Sequence, residues 1–190
     1  VSADIIEASF VCSEDFDNDG DFDIIVSGKE NDEIILFKNS EGNALEFEQT
    51  FISEDISSPF ALHTCDIDND GDQDIVTATY TYYSKIVWYE NLDGQGNFSS
   101  EIEFPTTIDF IRYITTADMD GDGDLDILSV SYEDNRADWY ENLDGNGTLG
   151  PPNNIVDFSG DGMNFISPAD FDGDGDIDVA VSFYISDTSY

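Results

Sequence analysis

The acidic stretch Asp118-Met-Asp-Gly-Asp-Gly-Asp-Leu-Asp126 places five aspartates in nine residues. So many like charges in one loop are unfavourable unless a cation lies between them. Aspartates fill positions one, three, five, seven and nine, and Gly123 stands at position six, where a tight loop needs a positive φ. The carbonyl of position seven and the carboxylate of position nine can complete a shell of hard oxygen ligands. The stretch therefore predicts a Ca²⁺ site.

Similar stretches begin at Asp15, Asp66 and Asp170, so successive copies start 51 or 52 residues apart. A fixed period of this size indicates a repeat architecture. We expect about four calcium ions, one in each loop, in which positions one, three, five and nine offer side chains and position seven its carbonyl. The candidate metal-binding residues are Asp15, Asp17, Asp19, Asp21, Asp23, Asp66, Asp68, Asp70, Asp72, Asp74, Asp118, Asp120, Asp122, Asp124, Asp126, Asp170, Asp172, Asp174, Asp176 and Asp178.

The segments on both sides of each loop predict β-strands. β-branched residues dominate them, and helical periodicity is missing. An EF-hand is excluded because it needs flanking helices and a glutamate at position twelve, which here is Val26, Thr77, Ser129 or Val181. A third strand contains Trp88-Tyr-Glu-Asn91 in one repeat and ends in a Gly-rich turn, and a weaker fourth strand follows. Each period thus predicts an antiparallel unit of four strands.

The loop motif Asp-x-Asp-x-Asp-Gly-x-x-Asp after a strand resembles the FG-GAP repeat of integrin α-subunit propellers. With the following Trp-Tyr-Glu-Asn-Leu-Asp-Gly-x-Gly, it is more similar to the bacterial VCBS and FG-GAP-like repeat proteins. This resemblance implies an all-β fold, a β-propeller of four-stranded antiparallel blades. The expected single repeat domain, residues 1–190, has blades at about 1–51, 52–103, 104–155 and 156–190, of which the last is incomplete. We expect the remaining blades of a closed ring to come from the same or another chain.

The composition limits the partners and the location of the protein. Of 190 residues, 44 are acidic and 5 are basic, which gives a net charge of −39. This charge argues against nucleic acid and anionic membranes as partners. No apolar run is long enough to span a membrane. A saline, calcium-rich exterior would screen the charge, so we expect an extracellular or cell-surface protein.

The expected blade geometry also locates a possible ligand face. In a four-stranded meander, the metal loops and the Asp-Gly turns lie at one rim, and the other turns lie at the opposite rim. Integrin-type propellers bind ligands on the face opposite their metal loops, which is implied here only by resemblance. Aromatic side chains beside polar groups suit a glycan or a peptide. The candidate ligand-binding residues are Tyr80, Tyr82, Tyr83, Phe110, Arg112, Tyr132 and Arg136.

Three functions remain open at this point. The first is a calcium-stabilised binding or adhesion module for a glycan or protein, without catalytic activity. The second is part of a carbohydrate-active enzyme, since related repeats occur in polysaccharide lyases. The third is a structural segment of a surface protein or filament. We expect His63 to be structural, Trp88 and Trp139 to pack in the core, and Cys12 and Cys65 not to form a disulfide.

Overall fold

The computed structural model describes residues 5–40, 42, 46–104, 106–158 and 162–184, and within these ranges the chain is all-β, with no helix. The strands form three four-stranded sheets and one two-stranded sheet, each in sequence order. We name them sheet I (β1–β4), sheet II (β5–β8), sheet III (β9–β12) and sheet IV (β13–β14). Their bounds are β1 (Ala8–Glu14), β2 (Asp23–Gly28), β3 (Glu33–Lys38), β4 (Glu48–Ser53), β5 (Pro59–Cys65), β6 (Asp74–Thr79), β7 (Ile86–Tyr89), β8 (Ile102–Phe104), β9 (Ile111–Ala117), β10 (Asp126–Ser131), β11 (Arg136–Tyr140), β12 (Asn153–Asp157), β13 (Met163–Ala169) and β14 (Asp178–Phe183).

All strand pairs within the sheets are antiparallel. Each acidic loop connects the first and second strands, and in sheet I the pairing closes at Glu14 and Asp23. The four-stranded antiparallel units expected from the sequence are therefore confirmed for three repeats. The described strands do not close into a ring.

The hydrophobic core lies between neighbouring sheets rather than within one sheet. Leu62 and Ile75 of sheet II are buried against Ile25 of sheet I. Trp88 is 5% exposed and packs with Tyr140 of the next sheet, as the sequence predicts for a core position. Because both faces of β6 and β10 are covered, these strands are buried at every residue. Each sheet thus depends on its neighbours for burial.

The order of the strands separates two rims. The first strands of successive sheets, β1, β5, β9 and β13, lie side by side. One rim carries the acidic loops together with the turns that follow β3, β7 and β11, and we call it the metal-loop rim. The other carries the turns after β2, β6 and β10 and the connections between sheets, and we call it the opposite rim.

Candidate metal centres

Each acidic loop brings carboxylates together at the end of a first strand. In every loop, three carboxylates offer oxygen atoms that lie within 4.8 Å of one another. Loops one to three gather positions one, three and five, whereas loop four gathers positions one, three and nine. The groups are Asp15, Asp17 and Asp19; Asp66, Asp68 and Asp70; Asp118, Asp120 and Asp122; and Asp170, Asp172 and Asp178.

The loop backbone is folded around the first aspartate. Asp15 accepts hydrogen bonds from the amides of Asp19 (3.1 Å) and Gly20 (2.9 Å). Position one of the second and third loops accepts the corresponding pair of bonds, and in the fourth loop Asp170 accepts the bond from Gly175. The glycine at position six has a positive φ in all four loops, between +94° and +102°, as the sequence predicts. These bonds hold the loop in place without using all of its carboxylate oxygens.

Position three is bonded less uniformly than position one. In loops two to four, Oδ1 of Asp68, Asp120 and Asp172 accepts the amide of position five. In the first loop, Asp17 Oδ1 is buried and has no hydrogen-bond partner among the described residues. Burial, followed by the nearby carboxylate of Asp19, raises the pKa of Asp17, and burial together with Asp70 raises the pKa of Asp68. A buried acceptor without a donor is costly, and a bound cation would remove that cost. The donor set and its electrostatics therefore fit a hard divalent cation.

The aspartate at position nine is buried in the first three loops and exposed in the fourth. Asp23, Asp74 and Asp126 are buried, and each accepts two backbone amides. In loop two, Oδ2 of Asp74 accepts from Ile67 (3.2 Å) and Oδ1 from Asn91 (2.8 Å). Burial raises the pKa of Asp74 to about 7, although these amides act in the opposite direction. In the first three loops, position nine therefore ties the loop to the end of the third strand.

Position seven forms a contact between sheets that sequence reasoning missed. Asn18, at position four of loop one, donates to Asp72 Oδ1 (3.0 Å) and to the carbonyl of Gly94 (3.1 Å) in sheet II. Asn69 makes the equivalent bonds to Asp124 and Gly145 in sheet III. One feature of the sequence could have indicated this contact: position four is Asn in loops one and two but Gly in loops three and four.

Between the third and fourth loops a cavity of about 390 Å³ takes the place of this contact. Loop three has Gly121 at position four, so it has no amide side chain to donate to the next loop. The cavity is lined by Asp118, Met119, Asp120, Gly121, Gly175, Asp176 and Ile177.

A buried asparagine provides a second contact between sheets on the metal-loop rim. Asn91 Nδ2 donates to the carbonyl of Phe16 in loop one (2.9 Å), while Asn91 Oδ1 accepts from Gly96 (3.2 Å). Asn142 repeats this arrangement with the carbonyl of Ile67 and the amide of Gly147. These asparagines stand at the end of the Trp-Tyr-Glu-Asn motif, so each motif is bonded to the metal loop of the preceding sheet.

Most candidate ligand residues of the opposite rim form one aromatic cluster. The ring of Phe110 contacts Tyr80 (5.1 Å) and Tyr82 (4.5 Å). Arg112 lies over the ring of Tyr132, 5.1 Å from its centroid. Tyr83 is 88% exposed, and its amide donates to Asp109.

The aromatic cluster differs from the predicted set of ligand residues at two positions. Phe60, which the sequence reasoning did not name, connects the cluster, because its ring contacts Tyr80 (4.9 Å) and Arg112 (5.6 Å). Arg136 stands apart: its Nε donates to buried Asp138 at 2.7 Å.

The histidine and the cysteines occupy structural positions. His63 Nε2 lies 3.1 Å from Thr116 Oγ1, and burial lowers the pKa of His63. Cys12 and Cys65 are both free, in agreement with the expectation that they form no disulfide. Burial raises the pKa of Cys12 to about 11 and also raises the pKa of Cys65, so both remain thiols at neutral pH.

Two solved structures share this fold. The first is a crystal structure of BBS1N in complex with ARL6DN, soaked with lead, with a TM-score of 0.55 and 12% identity over 97% of this chain. The second is the V. cholerae biofilm matrix protein Bap1, with a TM-score of 0.50 and 21% identity over 93% of this chain. The chain spans 57% and 28% of the lengths of these two proteins. None of the curated proteins matches it.

The family is shown by the repeats themselves. The FG-GAP-like repeat matches three overlapping segments, residues 15–77, 66–129 and 118–181. Each segment begins at the first aspartate of one loop and ends beyond the next loop, so the matches contain all four carboxylate groups. This chain belongs to the FG-GAP-like repeat family.

Proposed function

We propose that this chain is part of a calcium-stabilised β-propeller that acts outside the cell as a binding module and holds a glycan on its opposite rim. The observation that carries the binding function is the aromatic cluster there, in which Tyr82 is exposed while Tyr80, Phe110 and Tyr132 are half-buried. Tyr82 is 73% exposed although its ring packs on Phe110. An exposed ring with one packed edge offers an apolar surface beside water, which suits a sugar ring.

Calcium is the proposed ion in each loop. Support comes from the grouped carboxylates, the unpartnered oxygen of Asp17 and the positive φ at position six. Magnesium fits less well because it demands octahedral geometry and gives up its waters reluctantly. The ion's role is to neutralise the loop and hold the first and second strands together. We assign no catalytic role to it.

The propeller architecture is supported by how the sheets pack and by what their outer faces expose. Val11 is 61% exposed, whereas Leu62, its equivalent in sheet II, is 1% exposed. Phe171 of loop four is 60% exposed, whereas Phe16 of loop one is buried. These positions are covered wherever a neighbouring sheet is present, so we propose that further blades, from this chain or another, cover the two outer faces. The four repeats then form blades of one domain, residues 1–190.

An extracellular location is supported by two observations. The net charge of −39 calls for counterions, and calcium is abundant outside cells. The structural neighbour Bap1 is described as a biofilm matrix protein.

A printed glycan array, probed in millimolar calcium, tests the binding function. We expect the wild-type chain to bind selected glycans and the variant Tyr82→Ala to lose most of this binding. Leu92→Ala is the matched control, because Leu92 is also exposed but lies on the metal-loop rim. If the two variants bind alike, the opposite rim is not the site.

The other functions predict different results in the same samples. New reducing or unsaturated ends on a bound polysaccharide would identify an enzyme. Ordered self-association without glycan binding would identify a structural segment. Binding to a protein without any binding to glycans would replace the proposed ligand class.

A further inference from the structure

Arg112 is held between two aromatic rings on the opposite rim. Its guanidinium carbon lies 5.6 Å from the centroid of Phe60 and 5.1 Å from that of Tyr132. Such stacking uses the flat faces of the guanidinium and leaves the N–H groups at its edge for another partner. A planar fork of donors matches the two oxygens of a carboxylate.

No carboxylate of the described residues occupies that fork. Every other basic side chain of the protein has an acidic partner within 4.0 Å: Lys29 with Glu7, Lys38 with Asp17, Lys85 with Glu101 and Glu103, and Arg136 with Asp138 and Asp157. Among the residues that the structure describes, only Arg112 lacks one. Its position against the two rings therefore presents a positive charge that no described carboxylate pairs with.

The position of Arg112 in the repeat explains how it is presented. In each sheet, the pairing of the first and second strands shifts at one residue, six positions before the first aspartate. Such a bulge turns a side chain out of the regular ladder, and bulges often lie beside binding sites. The bulge residue is Ser9, Phe60, Arg112 or Asn164, whereas the residue two positions later is Val11, Leu62, Ile114 or Ile166. The bulge is therefore present in every sheet, whereas the residue at the bulge differs from sheet to sheet.

Phe110, the next member of the cluster, is held in a strained conformation. It has a φ of +48°, and the equivalent residue of sheet IV is Gly162. A bulky residue at positive φ is unusual and is retained where the surroundings fix it. Here the ring of Phe110 supports both Tyr80 and Tyr82. The exposed Tyr82 is therefore connected to Arg112 through rings in contact: Phe110, Tyr80 and Phe60.

We propose that this Arg112 cluster, made of Phe60, Tyr80, Tyr82, Phe110, Arg112 and Tyr132, binds a glycan in which one carboxylated sugar lies next to neutral sugars. The inference rests on the proposed glycan-binding function and names its ligand class. The carboxylate pairs with Arg112, and the apolar face of a neutral sugar packs on Tyr82. A polyanionic glycan is disfavoured because the protein carries a net charge of −39.

An acidic peptide fits this surface less well than a glycan. A peptide backbone would need free main-chain partners, but the amides around the cluster are already bonded. Tyr80 donates to Ser58 O (2.9 Å), Tyr132 to Phe110 O (3.2 Å) and Tyr83 to Asp109 Oδ1 (2.6 Å). The surface thus offers mainly rings and one guanidinium, which are groups that recognise sugars and a carboxylate.

Calorimetric titration with three saccharides in millimolar calcium tests the ligand class. The probes are xylotriose, xylotriose that carries one glucuronic acid, and trigalacturonic acid. We expect the singly charged saccharide to bind about tenfold more tightly than xylotriose, since a charge-assisted pair replaces a neutral contact. We expect trigalacturonic acid to bind more weakly than the singly charged probe at low salt.

Three variants decide whether Arg112 is responsible. Arg112→Gln should abolish the preference for the charged probe while xylotriose binding persists, and Arg112→Lys should retain part of it. Lys85→Gln is the control, because Lys85 lies on the same rim but pairs with Glu101 and Glu103. Thermal melts in calcium identify any variant that fails to fold. If Arg112→Gln does not fold, the preference for the charged probe is compared between Arg112→Lys and wild type.

The outcomes separate this inference from the function on which it rests. If Arg112→Gln keeps the preference, or if xylotriose binds as tightly as the charged probe, the ligand class is wrong while glycan binding stands. The ligand class is also wrong if trigalacturonic acid binds most tightly. If no saccharide binds here or on the array, both proposals fail. Selective binding of an acidic hexapeptide would assign the cluster to a peptide instead.

Discussion

The aspartates of one loop have different roles, although they are the same type of residue. Position one accepts loop amides, and position nine of the first three loops accepts one loop amide and one amide from the end of the third strand. Position three accepts a single loop amide in loops two to four, and Asp17 Oδ1 has no partner among the described residues. A substitution at position three should therefore affect metal binding with little damage to the loop backbone.

Asp120→Ala, at position three of loop three, tests this division of roles. We expect the variant to bind one calcium ion fewer than wild type. At a hundredfold excess over the dissociation constant, the lost ion costs about 2.7 kcal/mol of unfolding free energy, provided that the unfolded chain does not bind calcium. Denaturant unfolding in calcium and in EGTA measures this difference, and metal analysis counts the ions.

Glu133→Ala is the control for Asp120→Ala, because Glu133 is an exposed acidic residue on the opposite rim. It should leave both the ion count and the calcium-dependent stability unchanged. In EGTA, Asp120→Ala should be no less stable than wild type, since it removes one of three neighbouring carboxylates. Equal calcium-dependent stabilisation of Asp120→Ala and wild type would refute the assignment.

The asparagine at position four offers a second test on single residues. Asn69→Gly keeps a residue that tolerates the observed φ of +59° but removes the bonds to Asp124 and Gly145. We expect a loss of about 1 kcal/mol in unfolding free energy. Gly121→Asn, at the equivalent position of loop three, places a side chain at a φ of +79°, but it should be about 1 kcal/mol more stable than Gly121→Ala because its amide can reach Asp176 across the cavity. Thermal melts compare the variants: unchanged stability of Asn69→Gly, with equal stability of Gly121→Asn and Gly121→Ala, would exclude this role.

On the scale of strands and sheets, the features that the sequence predicts are those determined by residues close together in the chain. The hairpin at each acidic loop follows from turn chemistry within nine residues, and the strands follow from their β-branched residues. The bonds between sheets could not be predicted in the same way, because Asn18 and Asp72 are 54 residues apart and Asn91 and Phe16 are 75 apart. Phe60 was missed as a ligand residue for a similar reason, since only the folded bulge brings it to Arg112.

Packing between sheets predicts the effect of a methyl group at Gly147. A Cβ there would lie 2.5 Å from the Trp88 ring of the preceding sheet, at a φ of +78°. Gly121 has nearly the same φ, +79°, but no atom within 4 Å of a Cβ. Gly147→Ala and Gly121→Ala should therefore share a backbone cost of about 1–2 kcal/mol. Gly147→Ala should lose about 1–3 kcal/mol more through overpacking.

Denaturant unfolding in saturating calcium compares the two alanine variants. A third protein, Gly147→Ala combined with Trp88→Leu, provides the decisive control, because a smaller side chain at position 88 makes room for the methyl group. The added cost of Gly147→Ala should shrink in this background. If both alanine variants lose the same stability, the contact between Gly147 and Trp88 does not constrain the interface.

For the whole molecule, charge is distributed unevenly between the rims. All four carboxylate groups lie on the metal-loop rim, whereas Lys29, Lys85, Arg112 and Arg136 lie on the opposite rim. One rim therefore gathers the grouped carboxylates, and the other holds four of the five basic residues. The proposed calcium sites and the proposed ligand site thus lie at separate ends of each sheet, so removing calcium should weaken ligand binding by destabilising the sheets rather than by removing a ligand contact.

The net charge of −39 leads to a prediction for the stability of the whole protein. Four calcium ions would reduce it to −31, since each ion adds two positive charges (−39 + 8 = −31). We expect millimolar calcium to raise the melting temperature strongly compared with EGTA, and the same concentration of magnesium to raise it much less. Sodium chloride in EGTA should raise it only modestly, because it screens repulsion without entering the loops. If magnesium or sodium matched calcium, the loops would act as a diffuse acidic surface rather than as four built sites. A melting temperature that does not respond to calcium, in protein shown by metal analysis to be free of the ion, would exclude calcium from the fold. The packing and the hydrogen bonds between sheets would then account for its stability.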